Sequence, residues 1–270
     1  MSKTTPPFAP PRGALPVLQY CTPDQLRVDP SYQRELDARS HQLIGRIAHG
    51  WDWSLFQPLV VARRHDGTLY VVDGQHRLRA AKLRRDIAQL PCVIFYPADP
   101  AEEAAVFVDL NQNRRPLTAF ALYNAALASG DEQALALDDR LREAGLSFTG
   151  AADVKDFKPG ALNNVATVRK WHARHGDRHT RTVLTTIGRA FAGQVIRIGS
   201  PLFAGIAALV LEHGDQLNGH LLTDVLSQPQ DDWLADFRRR AADDATGIQS
   251  AAIAVIRDAY NEALVEAQAA

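Results

Sequence analysis

The stretch VVDGQHRLRAAK, residues 71–82, decides how the first part of the chain folds. Two valines lead into Asp73 and Gly74, and a helix-forming run follows. A strand that turns at a glycine into a helix leaves unpaired N–H groups and a partial positive charge at the helix start. His76 and Arg77 add donors at the same turn. The pattern predicts a phosphate site; the alternative is a tight connection with surface cations.

The sequence around this turn alternates strand-like and helix-like segments over residues 17–116. The predicted strands are residues 17–20, 58–62, 69–72 and 91–96. A hairpin signal, HDG at 65–67, joins the second and third of them. Ser40 is expected to cap a helix over residues 40–49 with Leu43, Ile44 and Ile47 on one face, and a short helix is expected over residues 77–83.

Strand signals disappear after Pro116, and helical patterns continue to the end around a glycine-containing loop at residues 145–162, with a helix break expected at Gly176. The predicted fold class is α+β: a small mixed α/β module followed by an all-helical domain. The predicted domains are a disordered N-terminal tail (1–16), the module (17–116) and the helical domain (117–270).

The composition is that of a globular protein, with 270 residues, 46% hydrophobic and 23% charged residues and a net charge of −1. Overall charge therefore neither points to nucleic acid nor excludes it. We expect a cytoplasmic protein without a membrane partner. No apolar run reaches the ~20 residues that span a bilayer, the start lacks a signal-peptide core, and the two cysteines form no CxxC pair.

Three blocks, in order, resemble the ParB/sulfiredoxin superfamily in its DGQHR-bearing branch. VDPSYQR (28–34) is similar to the first ParB box, and NQNRRPLT (111–118) is similar to the Asn-x-x-Arg motif that ends the module. DGQHRLRA (73–80) stands in place of the Gly-Glu-Arg-Arg motif of ParB and the Gly-Cys-His-Arg motif of sulfiredoxin. The resemblance covers roughly residues 17–120 and implies a ParB/sulfiredoxin-like nucleotide-binding module.

The resemblance implies that the second and third blocks surround the phosphates of CTP or ATP, with Mg²⁺ bound beside them. The implied nucleotide- and phosphate-binding residues are Arg34, Gly74, Gln75, His76, Arg77, Asn111 and Arg114. Asn111 would lie near the Mg²⁺ ion and Arg34 at the rim of the pocket. An arginine-rich concavity at a helix start is chemically suited to a polyphosphate.

The sequence departs from the family at two positions. Gln75 stands where sulfiredoxin has its cysteine and ParB a glutamate, and Leu110 stands where ParB has a second glutamate. Sulfiredoxin-type reduction is therefore not expected, because it needs a thiolate. The loss of two carboxylates favours nucleotide binding over hydrolysis. Asp73 could compensate in part, or could only fix the turn.

A basic stretch, RKWHARHGDRHTR at 169–181, contains one tryptophan and one acid. Cations interleaved with an aromatic residue are typical of a nucleic-acid interface, and a solvated, arginine-rich helix end is the alternative. The predicted nucleic-acid-binding residues are Arg169, Lys170, Trp171, Arg174, Arg178 and Arg181.

Three functions are compatible with the sequence. The first is a ParB-like, nucleotide-binding, DNA-associated protein, in which the nucleotide acts as a switch and two copies form a homodimer. The second is an enzyme on the same module, a ParB-like nuclease, weak NTPase or phosphotransferase, with Glu35 as the candidate base and no other catalytic residue identified. The third is a non-catalytic regulator from a phage or mobile element, with a vestigial pocket.

Overall fold

A computed structural model of the chain describes residue 9 and residues 11–33, 36–112 and 116–269. The chain forms two compact units, Met1–Arg115 and Pro116–Ala270. Over the described ranges, no helix is both long and apolar enough to cross a membrane. The predicted site residues Arg34 and Arg114 and the candidate base Glu35 lie outside the described residues, as do residues 1–8 and 10 of the predicted tail.

The first unit is a five-stranded mixed sheet with three helices among its described residues. The strands are β1 (Val17–Cys21), β2 (Leu26–Arg27), β3 (Leu59–Arg63), β4 (Leu69–Asp73) and β5 (Leu90–Phe95). The helices are α1 (Ala38–His49), α2 (Gln75–Arg84) and α3 (Pro100–Gln112). The sheet order is β1-β5-β3-β4-β2; β1/β5 and β3/β4 are antiparallel, and β3/β5 and β2/β4 are parallel. The predicted hairpin is confirmed, and the two-residue β2 was not predicted.

Period-two alternation buries one face of the strands, as in β5, where every second residue is buried. Leu78 and Ala81 of α2 pack against this face, so the helix that follows the Gly74 turn is held on the sheet. The prediction that Ser40 caps α1 was wrong. Asp37 is the cap, and its carboxylate accepts the Ser40 N–H at 2.8 Å, because a side chain ahead of the first turn can reach that donor.

The second unit is built almost entirely of helices, which confirms the predicted fold class of a mixed module followed by a helical part. Its helices are α4 (Ala119–Ala128), α5 (Glu132–Glu143), α6 (Val165–Ala190), α7 (Gly199–His213), α8 (Gly219–Leu226), α9 (Gln230–Asp243) and α10 (Ile248–Ala269). The loop predicted at 145–162 also contains two short parallel strands, β6 (Ser147–Phe148) and β7 (Ala161–Leu162).

Helix α6 organises the core of the second unit. Its helical geometry is interrupted at Gly176 (φ 78°, ψ 179°), and Val183, Leu184 and Ile187 beyond that break are completely buried. The backbone of α6 passes very close to the end of α5. A Cβ atom at Gly188 would lie 1.8 Å from the carbonyl oxygen of Ala144, so this approach requires glycine.

Candidate functional site

The site begins at the turn from β4 into α2, which consists of Gly74 alone. Its φ of 102° lies in the left-handed region, and a Cβ atom here would lie 2.4 Å from Cδ2 of Leu59. Glycine is therefore required by conformation and by space. No described side chain caps the start of α2, so the first N–H groups of this ten-residue helix keep their capacity to bind an acceptor. Helix starts of this kind bind anions.

The turn opens on a cavity of about 340 Å³ within the first unit. Five of the predicted site residues line it: Gly74, Gln75, His76, Arg77 and Asn111. The structure therefore brings these five residues to one cavity, although Asn111 comes from α3, well beyond the turn.

Arg77 lines the cavity, but it also holds the turn in place. Its Nη2 atom lies 2.9 Å from Oδ2 of Asp73, and its Nη1 atom donates to the carbonyl oxygens of Gln57 and Pro58, just before β3. Removing this side chain would therefore disturb the turn as well as any ligand contact. It is a poor choice for a test of binding alone.

Two polar side chains retain capacity for a ligand. Nε2 of His76 is buried and has no hydrogen-bond partner in the part of the chain that the structure describes. Such atoms are rare, and a ligand or a water molecule would satisfy this one. Asn111 donates from Nδ2 to the carbonyl oxygen of Phe107 at 2.7 Å, which leaves its Oδ1 atom as an acceptor.

The described residues contain no group of three or more His, Cys, Asp or Glu side chains placed to hold a metal ion. Mg²⁺ bound with nucleotides commonly takes only one or two protein oxygens and completes its shell with phosphates and water. Oδ1 of Asn111 is compatible with that mode, in which the phosphates hold the ion.

The sequence did not identify the rest of the cavity wall. Leu43 and Ile47, one turn apart on α1, and Phe107 of α3 form its apolar side. Gln33 closes another side, and its Nε2 atom donates to the carbonyl oxygens of Val71 and Val72, at 3.0 Å each. The spacing of the apolar residues on α1 was a signal in the sequence, but it does not distinguish a face covered by protein from one that lines a cavity.

A buried ionic network supports this wall. The Glu103 carboxylate is fully buried and accepts from Oη of Tyr32 at 2.5 Å and from Nε and Nη2 of Arg64 at 2.8 and 2.9 Å. Arg64 also binds Asp29 at 2.5 Å and stacks on the ring of Tyr70 at 3.6 Å. The network ties the segment before α1 and helix α3 to the β3–β4 hairpin. Both the segment and the helix contribute residues to the cavity.

The network sets the protonation states of Asp29 and Tyr32. Hydrogen bonds from Ser31 and then from Arg64 lower the pKa of Asp29 to about 2. Burial, followed by the hydrogen bond to Glu103, raises the pKa of Tyr32 far above its usual value. Tyr32 is therefore a phenol that donates, and Asp29 is a carboxylate that accepts, over the physiological pH range.

Neither cysteine is placed for thiol chemistry. Cys21 and Cys92 are both buried in the sheet, and burial, with a smaller effect from Cys21, raises the pKa of Cys92 to about 12. A thiol that stays protonated is a weak nucleophile.

The break at Gly176 divides the predicted nucleic-acid-binding residues into two groups. Beyond the break, Arg178 pairs with Asp215, and Arg181 lies 3.6 Å from Glu143 and 3.9 Å from Asp177. Before the break, the cations make no ion pair with any described residue; they are Arg169, Lys170 and Arg174, and Trp171 lies among them. Only this first group keeps its positive charge uncompensated.

Residues 29–262 match the model of a family described as a family of unknown function, DUF6551. The chain belongs to DUF6551. The match spans both units, so the mixed module and the helices that follow it are parts of one family architecture in DUF6551. No curated protein matches this DUF6551 chain.

Solved structures similar to this DUF6551 chain include chromosome-partitioning proteins. C-terminally truncated ParB from Caulobacter crescentus complexed with CTP-gamma-S is 14% identical, with a TM-score of 0.38 over 65% of this chain and 98% of that one. The same protein complexed to the centromeric parS site is 13% identical, with a TM-score of 0.29 over 89% and 99%. A Pnob8-like ParB-N domain is 12% identical, with a TM-score of 0.28 over 80% and 90%. Similarity at this level does not show that two proteins bind the same ligand.

Proposed function

We propose that the cavity at the Gly74 turn binds a nucleoside triphosphate, CTP or ATP, together with Mg²⁺. The observation that carries the proposal is the uncapped start of α2 behind a left-handed glycine, which opens directly into a cavity of about 340 Å³. The resemblance of the DGQHR stretch to a nucleotide-binding superfamily supports the same ligand class.

The cavity has a polar end and an apolar end, as a nucleotide does. The phosphates would lie at the turn, against the N–H groups of α2 and beside His76, with the Arg77 guanidinium behind them. The sugar and base would lie against Leu43, Ile47 and Phe107. Oδ1 of Asn111 would join the Mg²⁺ ion from the other side.

We propose binding rather than turnover. Asp73 is the one carboxylate among the described lining residues, and it is bonded to Arg77. A general base must be within reach of the attacking water and able to take its proton, and Asp73 is committed to holding the turn. The chain would thus use the nucleotide as a switch, as the ParB resemblance implies.

DNA is the proposed macromolecular partner, contacted through Arg169, Lys170, Trp171 and Arg174, and two copies would act together as a homodimer. The support is the uncompensated charge of this first group. Fluorescence anisotropy with a labelled duplex at increasing salt tests this partner. Neutralising Lys170 and Arg174 should reduce the salt slope by about two.

Isothermal titration calorimetry with CTP, ATP, GTP and UTP, each with and without Mg²⁺, tests the nucleotide proposal. The informative variant is Leu43→Glu, which places a carboxylate in the cavity wall, with Leu43→Gln as its neutral match. Leu43 is half-buried on the outside of α1, so both variants should fold. We expect Leu43→Glu to bind about tenfold more weakly than Leu43→Gln, because the nucleotide base would desolvate the added carboxylate and the same charge would repel the phosphates across the cavity.

Absence of binding by the folded wild-type protein to any of the four nucleotides would contradict the proposal and favour the vestigial-pocket regulator. Release of inorganic phosphate by the wild-type protein, above a nucleotide blank, would favour the NTPase alternative instead. A nuclease would show itself by cleavage of the duplex used in the anisotropy experiment.

A further inference from the structure

A groove of about 380 Å³ lies in the second unit and is lined by residues of that unit alone among those the structure describes. One helical stripe on each side forms it: Thr167, Trp171 and Arg174 on α6, and Ala204, Ala208 and Leu211 on α7. The residues in each stripe are one turn apart, so each helix presents one face to the groove. The alanines of α7 leave the space between the two helices unfilled.

The surface of the groove is apolar and partly aromatic. The Trp171 ring stacks on His175 with centroids 4.1 Å apart and meets Phe203 edge-on at 5.9 Å. Leu211 is 49% exposed although it lines the groove. An apolar side chain of this size at the mouth of an aromatic groove would gain from being covered.

The charges at the rim are all positive. Lys170 and Arg174 line the groove, and its described lining residues include no aspartate or glutamate. Neither cation forms an ion pair with a described residue, whereas Arg178 and Arg181 on the same helix both do. Neither of the two cations that line the groove is thus compensated by an anion among the described residues.

We propose that this groove binds a small organic anion with a flat apolar body, such as an aromatic carboxylate or sulfonate. The apolar body would stack along Trp171 and the alanines of α7, and the anionic group would meet Lys170 and Arg174. This ligand site shares no residue with the proposed nucleotide site. It shares Lys170, Trp171 and Arg174 with the proposed DNA interface, so DNA and the small anion would compete for these residues.

Duplex DNA is the competing occupant for the same cations. A DNA backbone would contact Lys170 and Arg174 from outside and leave the apolar floor uncovered, since phosphates and sugars have no apolar body to insert. The floor is therefore the feature that favours a small ligand, and it allows the two occupants to be separated experimentally.

The probe is 8-anilinonaphthalene-1-sulfonate, titrated by fluorescence into the full chain, with N-phenyl-1-naphthylamine as its uncharged analogue. Ala208→Phe fills the groove from a half-exposed position. Lys170→Gln with Arg174→Gln removes the charge from two exposed positions, and Arg189→Gln, on the same helix outside the groove, is the matched control. Circular dichroism establishes that each variant is folded. A labelled duplex is titrated against the same proteins.

We expect saturable binding of the sulfonate to the wild type and to Arg189→Gln, and at least tenfold weaker binding to Ala208→Phe. The double glutamine variant should bind the sulfonate five- to tenfold more weakly, with little change for the uncharged analogue. Equal sulfonate affinity in Ala208→Phe and wild type would overturn the proposal, as would no binding to wild type. Loss of duplex binding in the double variant with unchanged sulfonate binding would assign these cations to DNA alone and overturn their role in the sulfonate site.

Discussion

Replacing Glu103 with glutamine tests the network that holds the cavity wall. The substitution keeps the shape of the side chain but removes a fully buried charge that accepts from Tyr32 and twice from Arg64. Breaking a buried ion pair on one side costs about 3–5 kcal/mol. We expect the lower end, about 3 kcal/mol, because Arg64 keeps Asp29 and its side chain is 23% exposed.

The assay is urea unfolding followed by circular dichroism, with hydrogen exchange of the α3 amide groups to locate the effect. Asp109→Asn, at an exposed carboxylate on the same helix, is the matched control and should change the unfolding free energy by less than about 0.5 kcal/mol.

A double-mutant cycle sharpens the test. Tyr32→Phe alone should cost about 1–2 kcal/mol, and much of that cost should disappear in the Glu103→Gln protein, because the hydrogen bond has lost its charged acceptor. A loss below about 1 kcal/mol for Glu103→Gln, or strictly additive effects, would refute the coupling of this network.

Three further predictions concern the first unit. The pKa of Asp29 is lowered from 3.8 to about 2 in the folded chain, so its stabilisation is complete above about pH 5 and is lost as the pH falls through about 2. Over that pH range the free energy of unfolding of the wild type should fall by about 1–2 kcal/mol more than that of Asp29→Asn, a figure that allows for solvent screening. Acid unfolding of the two proteins measures the difference. Gly74→Ala should lower the free energy of unfolding, measured in urea, by about 1–3 kcal/mol. Gly67→Ala should lower it by less, because a Cβ atom at Gly67 would meet no atom within 4 Å. Cys92 should resist iodoacetamide at pH 8 until the chain unfolds, since burial raises its pKa to about 12; rapid labelling of the native protein would argue against that burial.

The features that the sequence predicted are those with local causes. The strand–glycine–helix turn at Gly74, the hairpin at 65–67 and the interruption at Gly176 each depend on a few consecutive residues. The ends of the helices and strands were predicted less accurately. Helix α2 was expected over 77–83 but spans Gln75–Arg84, because the helix begins directly after the left-handed glycine.

The contacts that support the site could not be predicted, because they join residues far apart in the sequence. Tyr32 and Glu103 are separated by 71 positions, and the Arg77 guanidinium reaches a carbonyl 20 positions earlier. Glu102 and Glu103 both lie in the first turn of α3, and no local pattern shows that only the second is buried.

The periodicity of apolar residues also did not show what covers the apolar face of α1. Leu43, Ile44 and Ile47 were expected on one face of a helix, and they do lie near one another on α1. The structure buries Ile44 in the core and places Leu43 in the cavity wall, while Ile47 both packs against the core and lines the cavity. A spacing of three or four residues shows which side chains point the same way, but it does not show whether protein or ligand covers them.

The close approach of α6 to the end of α5 limits the sequences that this family architecture can accept. In a library that samples all twenty amino acids at each position, Gly188 should be depleted of substitutions as strongly as a core leucine, although it buries no side chain. Even alanine would place a methyl group 1.8 Å from the Ala144 carbonyl oxygen. Sequence tolerance at this position would therefore measure the separation of two backbones, and a chain that accepted larger residues there would have to hold the two helices further apart.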